Sequence, residues 1–124
     1  WNPQLIRFAW LNYGSALAER GEFEMAQNAF RSADQLGIPM RYSFYDFSII
    51  ESAFNNGAAY EVLDRSDFML QMNSHCEECW LWKGWGHYLL SELEQTAQAF
   101  QKAAEINPNS TEVRYALEFL NQDQ

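Results

Sequence analysis

The residues able to do chemistry cluster late in the chain. His75-Cys76-Glu77-Glu78-Cys79 sets a CxxC pair beside one histidine, and His87 follows downstream. Thiolates and imidazoles so placed can ligate zinc. A CxxC at the start of a helix can also act as a redox pair or close a small structural loop. A closed zinc site needs a second Cys or His pair at similar spacing, and only His87 is at hand. On a continuous helix the eight residues from Cys79 to His87 span roughly 12 Å, too far for one ion with bonds of ~2 Å. His75, Cys76 and Cys79 alone leave the set incomplete, so no metal site is expected. Cys76 and Cys79 read as a disulfide, a redox pair or two half-buried thiols. Neither histidine lies in a nucleophile motif. No catalytic residue is assigned, and the chain reads as non-enzymatic and free of cofactor. Gly14-Ser15 and Gly84-Trp85-Gly86 fall mid-helix and are not phosphate loops; glycine there lets neighbouring helices touch. Asn109-Ser110-Thr111 fits a glycosylation sequon, which matters only in a eukaryotic secreted setting.

Composition narrows the partners. The 124 residues are 48% hydrophobic, 16% aromatic and 20% charged, a globular balance. Seventeen acidic side chains against eight basic ones give a formal net charge of -9, and only two lysines are present. A polyanion-binding face needs clustered positive charge, so nucleic acid and anionic membrane are poor partners. No uncharged apolar run approaches the ~18 residues of a membrane span, so membrane insertion is not expected. The chain starts at Trp1 without a charged-then-apolar leader, as a processed chain or a piece of something longer would. That start leaves the compartment open.

The elements that hold these residues repeat. Sliding the sequence by 70 places Trp10 on Trp80, Gly14 on Gly84, Phe30 on Phe100 and Ala33 on Ala103. Glu22-Phe23-Glu24 falls on Glu92-Leu93-Glu94. Seventy is two units of about 35, the length of a helix–turn–helix repeat. Asn2-Pro3 reads as an N-cap and first-turn proline, opening a helix that runs to about Arg20 and stops at Gly21. A second helix, about 22–36, carries Phe23, Ala26, Phe30 and Ala33 on one stripe and stops at Gly37 and Pro39. Leu93, Ala97, Phe100, Ala103 and Ala104 repeat that design before Ile106-Asn107-Pro108-Asn109. The middle unit is degenerate. Tyr45, Ile49, Ile50, Ala53 and Phe54 still form a helical stripe, and the stretch fits a pair at about 41–55 and 58–72 that turns at Asn55-Asn56-Gly57. Asn109-Ser110-Thr111-Glu112 reads as a capping box for a last helix with Val113, Ala116, Leu117 and Leu120 inward and Glu112, Arg114 and Glu118 outward.

These residues resemble the tetratricopeptide repeat (TPR) family. The resemblance rests on Trp10, Gly14, Gly21, Phe23, Ala26, Phe30 and Ala33, and again on Trp80, Gly84, Leu93, Phe100, Ala103 and Pro108. Its most specific stretch runs from Ala99 to Asn109. Thr96 departs where the family prefers alanine, and His87 where it prefers an inward tyrosine. The resemblance implies an all-α fold: a TPR-like right-handed superhelix of three helix–turn–helix pairs plus a C-terminal capping helix. It implies one domain over 1–124, with repeats at about 3–37, 41–73 and 76–107 and a cap at about 110–121. A narrower likeness involves Gly37-Ile38-Pro39-Met40-Arg41, Tyr45-Asp46-Phe47, Gly57 with Tyr60-Glu61-Val62-Leu63, and the ending Ile106-Asn107-Pro108-Asn109. Over about 26–120 the chain is similar to helical tails downstream of C39-like, papain-like peptidase domains in some bacterial surface proteins.

In a TPR superhelix the first helix of each pair lines the concave face. The family resemblance puts Phe8 and Leu11 there, then Phe44, Phe47, Glu51 and Phe54, then Glu78, Leu81, Trp85 and Tyr88. The TPR subclass that clamps a terminal carboxylate uses Lys, Arg and Asn on this face, and this chain carries Leu, Phe and Trp instead. The expectation is an aromatic groove for a peptide or protein segment, from a partner with apolar anchors and basic flanks. Two alternatives stand beside this scaffold reading: an accessory domain packing on a peptidase-like catalytic domain, and a CxxC redox or metal module. The compartment stays open between cytoplasmic and, if the peptidase-tail likeness holds, extracellular.

Overall fold

Three turns with the same hydrogen bonds set the register of the chain. In the first, the Gly21 and Glu22 N–H groups donate to the Ala18 and Leu17 carbonyls at 3.0 and 2.9 Å. In the second, those of Gly57 and Ala58 donate to Phe54 and Ala53, both at 2.9 Å. In the third, those of Ser91 and Glu92 donate to Tyr88 and His87 at 2.9 and 3.0 Å. Each pair is a Schellman cap, which closes a helix through one left-handed residue. The φ angles are +78° at Gly21, +74° at Gly57 and +60° at Ser91. Glycine adopts that conformation freely, whereas a Cβ opposes it. The third turn therefore holds its serine under strain.

The structure, a computed structural model, describes the backbone of residues 3–35 and 48–122 and the side chains of 9–33, 35 and 49–122. Among these residues there are seven helices and no strand: α1 (Pro3–Glu19), α2 (Phe23–Gln35), α3 (Ser48–Asn55), α4 (Ala59–Met72), α5 (Glu77–Leu89), α6 (Leu93–Ile106) and α7 (Thr111–Gln122). The all-α TPR-like expectation holds, and the helix ends fall within a residue or two of those read from sequence. The expected cap at Asn2, the stop at Gly37 and Pro39, and the expected helix over 41–47 lie outside the described residues.

The helices group into two compact units, Trp1–Ala58 and Ala59–Gln124. In the first, α2 packs on α1 and α3. Its core is Leu17, Ala18, Ala26, Ala29, Phe30 and Ile49, with Trp10, Leu11 and Phe23 against it. In the second, α5 packs on α4 and α6, and α7 on α6. Its core is Leu81, Phe100, Ala103, Val113, Ala116 and Leu120, flanked by Trp80, Trp85 and Leu117.

One contact recurs in both cores. A Cβ built on Gly14 would stand 2.5 Å from Phe30 Cε1, and one on Gly84 would stand 2.3 Å from Phe100 Cε1. No real methyl fits at those distances, so each glycine is where the second helix of its pair lays an aromatic ring on the first. Phe30 and Phe100 are buried, as the repeat requires. The left-handed turn residues give the equivalent positions in the middle unit. Seven residues before Gly57 stands Ile50, and nine after it stands Ser66. Both are fully buried. The middle unit thus exchanges sizes, large on its first helix and small on its second. Thr96, a departure from the family pattern, is also fully buried, and its hydroxyl donates to the Glu92 carbonyl at 3.0 Å.

Ser91→Gly is expected to raise the urea midpoint by about 0.5–1 kcal/mol of stability, because it relieves the left-handed serine. Gly57→Ala, at the equivalent turn, should lower stability by about 1 kcal/mol or more. A midpoint that falls for Ser91→Gly would mean that the third turn is not left-handed.

Candidate functional site

Within the second unit, two helix starts border one pocket. Cys76 caps α5: its Sγ accepts from the Cys79 N–H at 3.1 Å. The two sulfurs are 2.06 Å apart as a disulfide, with Cys79 fully buried. This staple pins the first turn of α5 and so fixes where Glu77 and Glu78 leave the backbone. Asn107 ties that turn to the end of α6. Its Nδ2 donates to Glu77 Oε2 at 3.0 Å, and its Oδ1 accepts from the Asn109 N–H at 3.3 Å. Ser110 caps α7, accepting from the Val113 N–H at 3.3 Å and donating to Glu112 Oε2 at 3.1 Å. The box read from sequence puts the cap on Asn109, three residues before Glu112. The cap is Ser110, one residue later, so Glu112 stands one residue too early for the reciprocal bond and accepts from the serine hydroxyl.

The pocket has a volume of about 600 Å³ and is lined by Glu77, Glu78, Leu81, Trp82 and Trp85 of α5 and by Thr111, Glu112 and Tyr115 of α7. Its floor is aromatic. The Trp85 ring meets Phe100 edge-on at 5.0 Å and Phe119 at 5.4 Å, while Tyr88 lies 5.8 Å from Trp85 and 5.4 Å from Phe119. Tyr115 stacks on Phe119 at 6.4 Å yet stays 63% exposed. Rings in this range attract by edge-to-face and offset stacking, so Phe100 holds Trp85 and Phe119 holds Tyr115. The rim is acidic. Partial burial, then repulsion from Glu112 and Glu77, raises the Glu78 carboxyl above the ordinary carboxylate value, against a hydrogen bond from the Trp82 side chain.

Of the residues expected to line the groove, Glu78, Leu81 and Trp85 border this pocket and Tyr88 packs against Trp85. In the first unit Leu11 rests on the core around Phe30, Phe54 is half-buried and Glu51 is exposed. Phe44, Phe47 and the Phe8 side chain lie outside the described residues. Glu112, expected on the outer face of the last helix, is exposed and borders the pocket, where it accepts from the Ser110 hydroxyl. Trp82, Glu77, Thr111 and Tyr115 were not anticipated as site residues. Their signal is spacing: Glu78 and Trp82, like Thr111 and Tyr115, stand four residues apart and so share a helix face. His87 is half-buried, with Nδ1 3.1 Å from Glu92 Oε1. Among the described residues, no group of three or more His, Cys, Asp or Glu is placed to hold a metal ion, and no helix is long and apolar enough to cross a membrane.

No known protein family matches the chain by sequence, and no curated protein does. Among solved structures it is similar to the first TPR of Spaghetti (RPAP3) bound to the HSP90 peptide SRMEEVD. The TM-score is 0.75 at 13% identity, covering 96% of this chain and 93% of that one. It is similar as well to the first TPR domain of the human RPAP3 protein, with a TM-score of 0.74 at 14% identity, covering 98% and 93%. The fold is TPR-like.

The crowded carboxylates have a consequence for stability. An acid whose value is raised on folding binds its proton more readily in the folded chain. Stability then falls as pH rises from the ordinary carboxylate range through the raised value, and the deficit is complete above that value. Glu78→Gln keeps an acceptor for Trp82 and removes the charge. Its urea midpoint should exceed that of the wild type at pH 7, and the gap should close as the pH is lowered toward ~4. A gap that persists unchanged at low pH would show that repulsion is not its source.

Proposed function

We propose that the chain is a non-enzymatic protein–protein interaction scaffold. In this proposal the pocket bordered by α5 and α7 receives a peptide or protein segment. The observation that carries this reading is the exposed aromatic lining. Tyr115 keeps well over half its surface open beside half-buried Trp82 and Trp85, in a cavity of about 600 Å³. That size suits the anchor side chains of a docked segment. Tryptophan and tyrosine on a pre-formed concave surface are where interface energy concentrates. Leu81, Trp85 and Tyr88 come into this reading from the expected groove, and Trp82 and Tyr115 join them.

The similar TPR of Spaghetti (RPAP3) is bound to SRMEEVD, a peptide that ends in three acids among four residues. A segment of that character suits this pocket poorly. Glu77 and Glu112 already repel Glu78, and each further carboxylate adds to that cost. The scaffold role is shared with that neighbour in this proposal, but the ligand class differs.

A random peptide library displayed against the folded chain provides the test. The best selected peptide should bind Tyr115→Ala at least about tenfold more weakly, a loss of ~1.4 kcal/mol. The urea midpoint should stay within about 0.5 kcal/mol, because the ring is exposed. Tyr60→Ala, an exposed tyrosine away from the pocket on α4, should bind as the wild type does. Equal binding by Tyr115→Ala and wild type would remove the pocket from the interface.

A further inference from the structure

We infer that the pocket takes an arginine side chain of the partner segment, stacked on the Trp82 and Tyr115 rings and paired with the Glu78 and Glu112 carboxylates. The inference rests on the docking reading above and adds the chemistry of the anchor. It starts from charge. Three carboxylates border the cavity, and none of its lining residues is basic. Their hydrogen bonds come from neutral donors: Asn107 to Glu77, the Trp82 side chain to Glu78 and the Ser110 hydroxyl to Glu112. The lysine on α5 is engaged elsewhere, for Lys83 Nζ lies 2.8 Å from Asp67 Oδ1 and 5.4 Å from the centre of the Trp80 ring. Lys102 pairs with Glu105 at 3.8 Å.

The opposing term is the helix dipole. Two helix N-termini at the pocket each present roughly half a positive charge, which favours carboxylates and disfavours a cation. Three acidic side chains and no basic one line the pocket against two such halves, so the balance of charge favours a cation. Burial and mutual repulsion raise the Glu78 carboxyl, so the charge is held at the expense of stability. A cation docked between Glu78 and Glu112 would relieve that repulsion, and a neutral side chain would not.

Arginine fits this lining better than lysine. Its planar guanidinium stacks on aromatic faces, presents paired donors to carboxylates and sheds water more readily than an ammonium. The remaining volume, with Leu81 and Trp85 at its floor, has room for an apolar neighbour of the arginine. This arrangement commits the pocket to a basic, apolar-flanked segment of a protein partner.

N-acetyl-arginine amide and its uncharged isostere N-acetyl-citrulline amide are the probes. Binding is read on the indole N–H signals of Trp82 and Trp85 in the ¹⁵N-labelled chain. The arginine amide should shift both signals saturably, and the citrulline amide should bind at least tenfold more weakly. Glu78→Gln and Glu112→Gln should each weaken the arginine amide several-fold without lowering the urea midpoint, since each relieves repulsion. Added salt should weaken the arginine amide alone. Equal shifts from both probes would overturn the charge-based inference and leave the docking reading standing. So would undiminished binding in both glutamine variants. If neither probe moves the indole signals the inference fails too, while the displayed-peptide assay on Tyr115→Ala judges the docking reading independently.

Discussion

The ring of Phe100 against the bare backbone of Gly84 is the contact on which the second unit depends. Glycine in a helix interior costs about 1 kcal/mol relative to alanine, so helix propensity argues against it. Packing argues more strongly for it. A methyl at that point would stand 2.3 Å from Phe100 Cε1, and forcing the ring aside in a filled core costs about 1–3 kcal/mol. The same contact, Phe30 on Gly14, recurs at an offset of 70 residues in the first unit. Here the buried ring sits where the facing helix gives up its side chain, so the pair recurs in the chain as one shape rather than as two independent residues.

The pocket follows from that contact in short steps. Phe100, once seated on Gly84, holds Trp85 edge-on, and Trp85 meets Phe119 of the last helix. Phe119 in turn backs Tyr115. Polar links then fix the rim. The Cys76–Cys79 staple and the Asn107–Glu77 bond set the start of α5, and Ser110 sets the start of α7. In the proposal made above, this aromatic support beneath carboxylates that crowd Glu78 is what a docked segment meets. The proposed ligand supplies the missing positive charge.

Much of this was legible in sequence because the outer units keep small and large residues in register. Gly14 and Gly84, Phe30 and Phe100, and Ala33 and Ala103 each align at one offset, which was enough to read seven helices. The middle unit was obscure for a physical reason. Ile50 stands where the outer units carry glycine and Ser66 where they carry phenylalanine, so neither residue type announces the repeat. Ser91 concealed the third left-handed turn in a similar way, standing where glycine marks the other two. The site was half legible. A stripe through Leu81, Trp85 and Tyr88 follows helical spacing, but Trp82 lies one residue aside and the last helix read only as a cap. That Glu112 borders the pocket and bonds the Ser110 hydroxyl is something spacing alone does not announce.

A double-mutant cycle on Gly84→Ala and Phe100→Leu tests the central contact most directly, with unfolding free energies from urea titration. Leucine lacks the ε carbon that approaches position 84 most closely. Phe100→Leu should therefore be far less damaging in the Gly84→Ala background than alone, with a coupling energy above about 1 kcal/mol. Effects that add to within about 0.5 kcal/mol would mean that ring and glycine act independently. The packing from which the aromatic floor is built would then have to originate elsewhere in the unit.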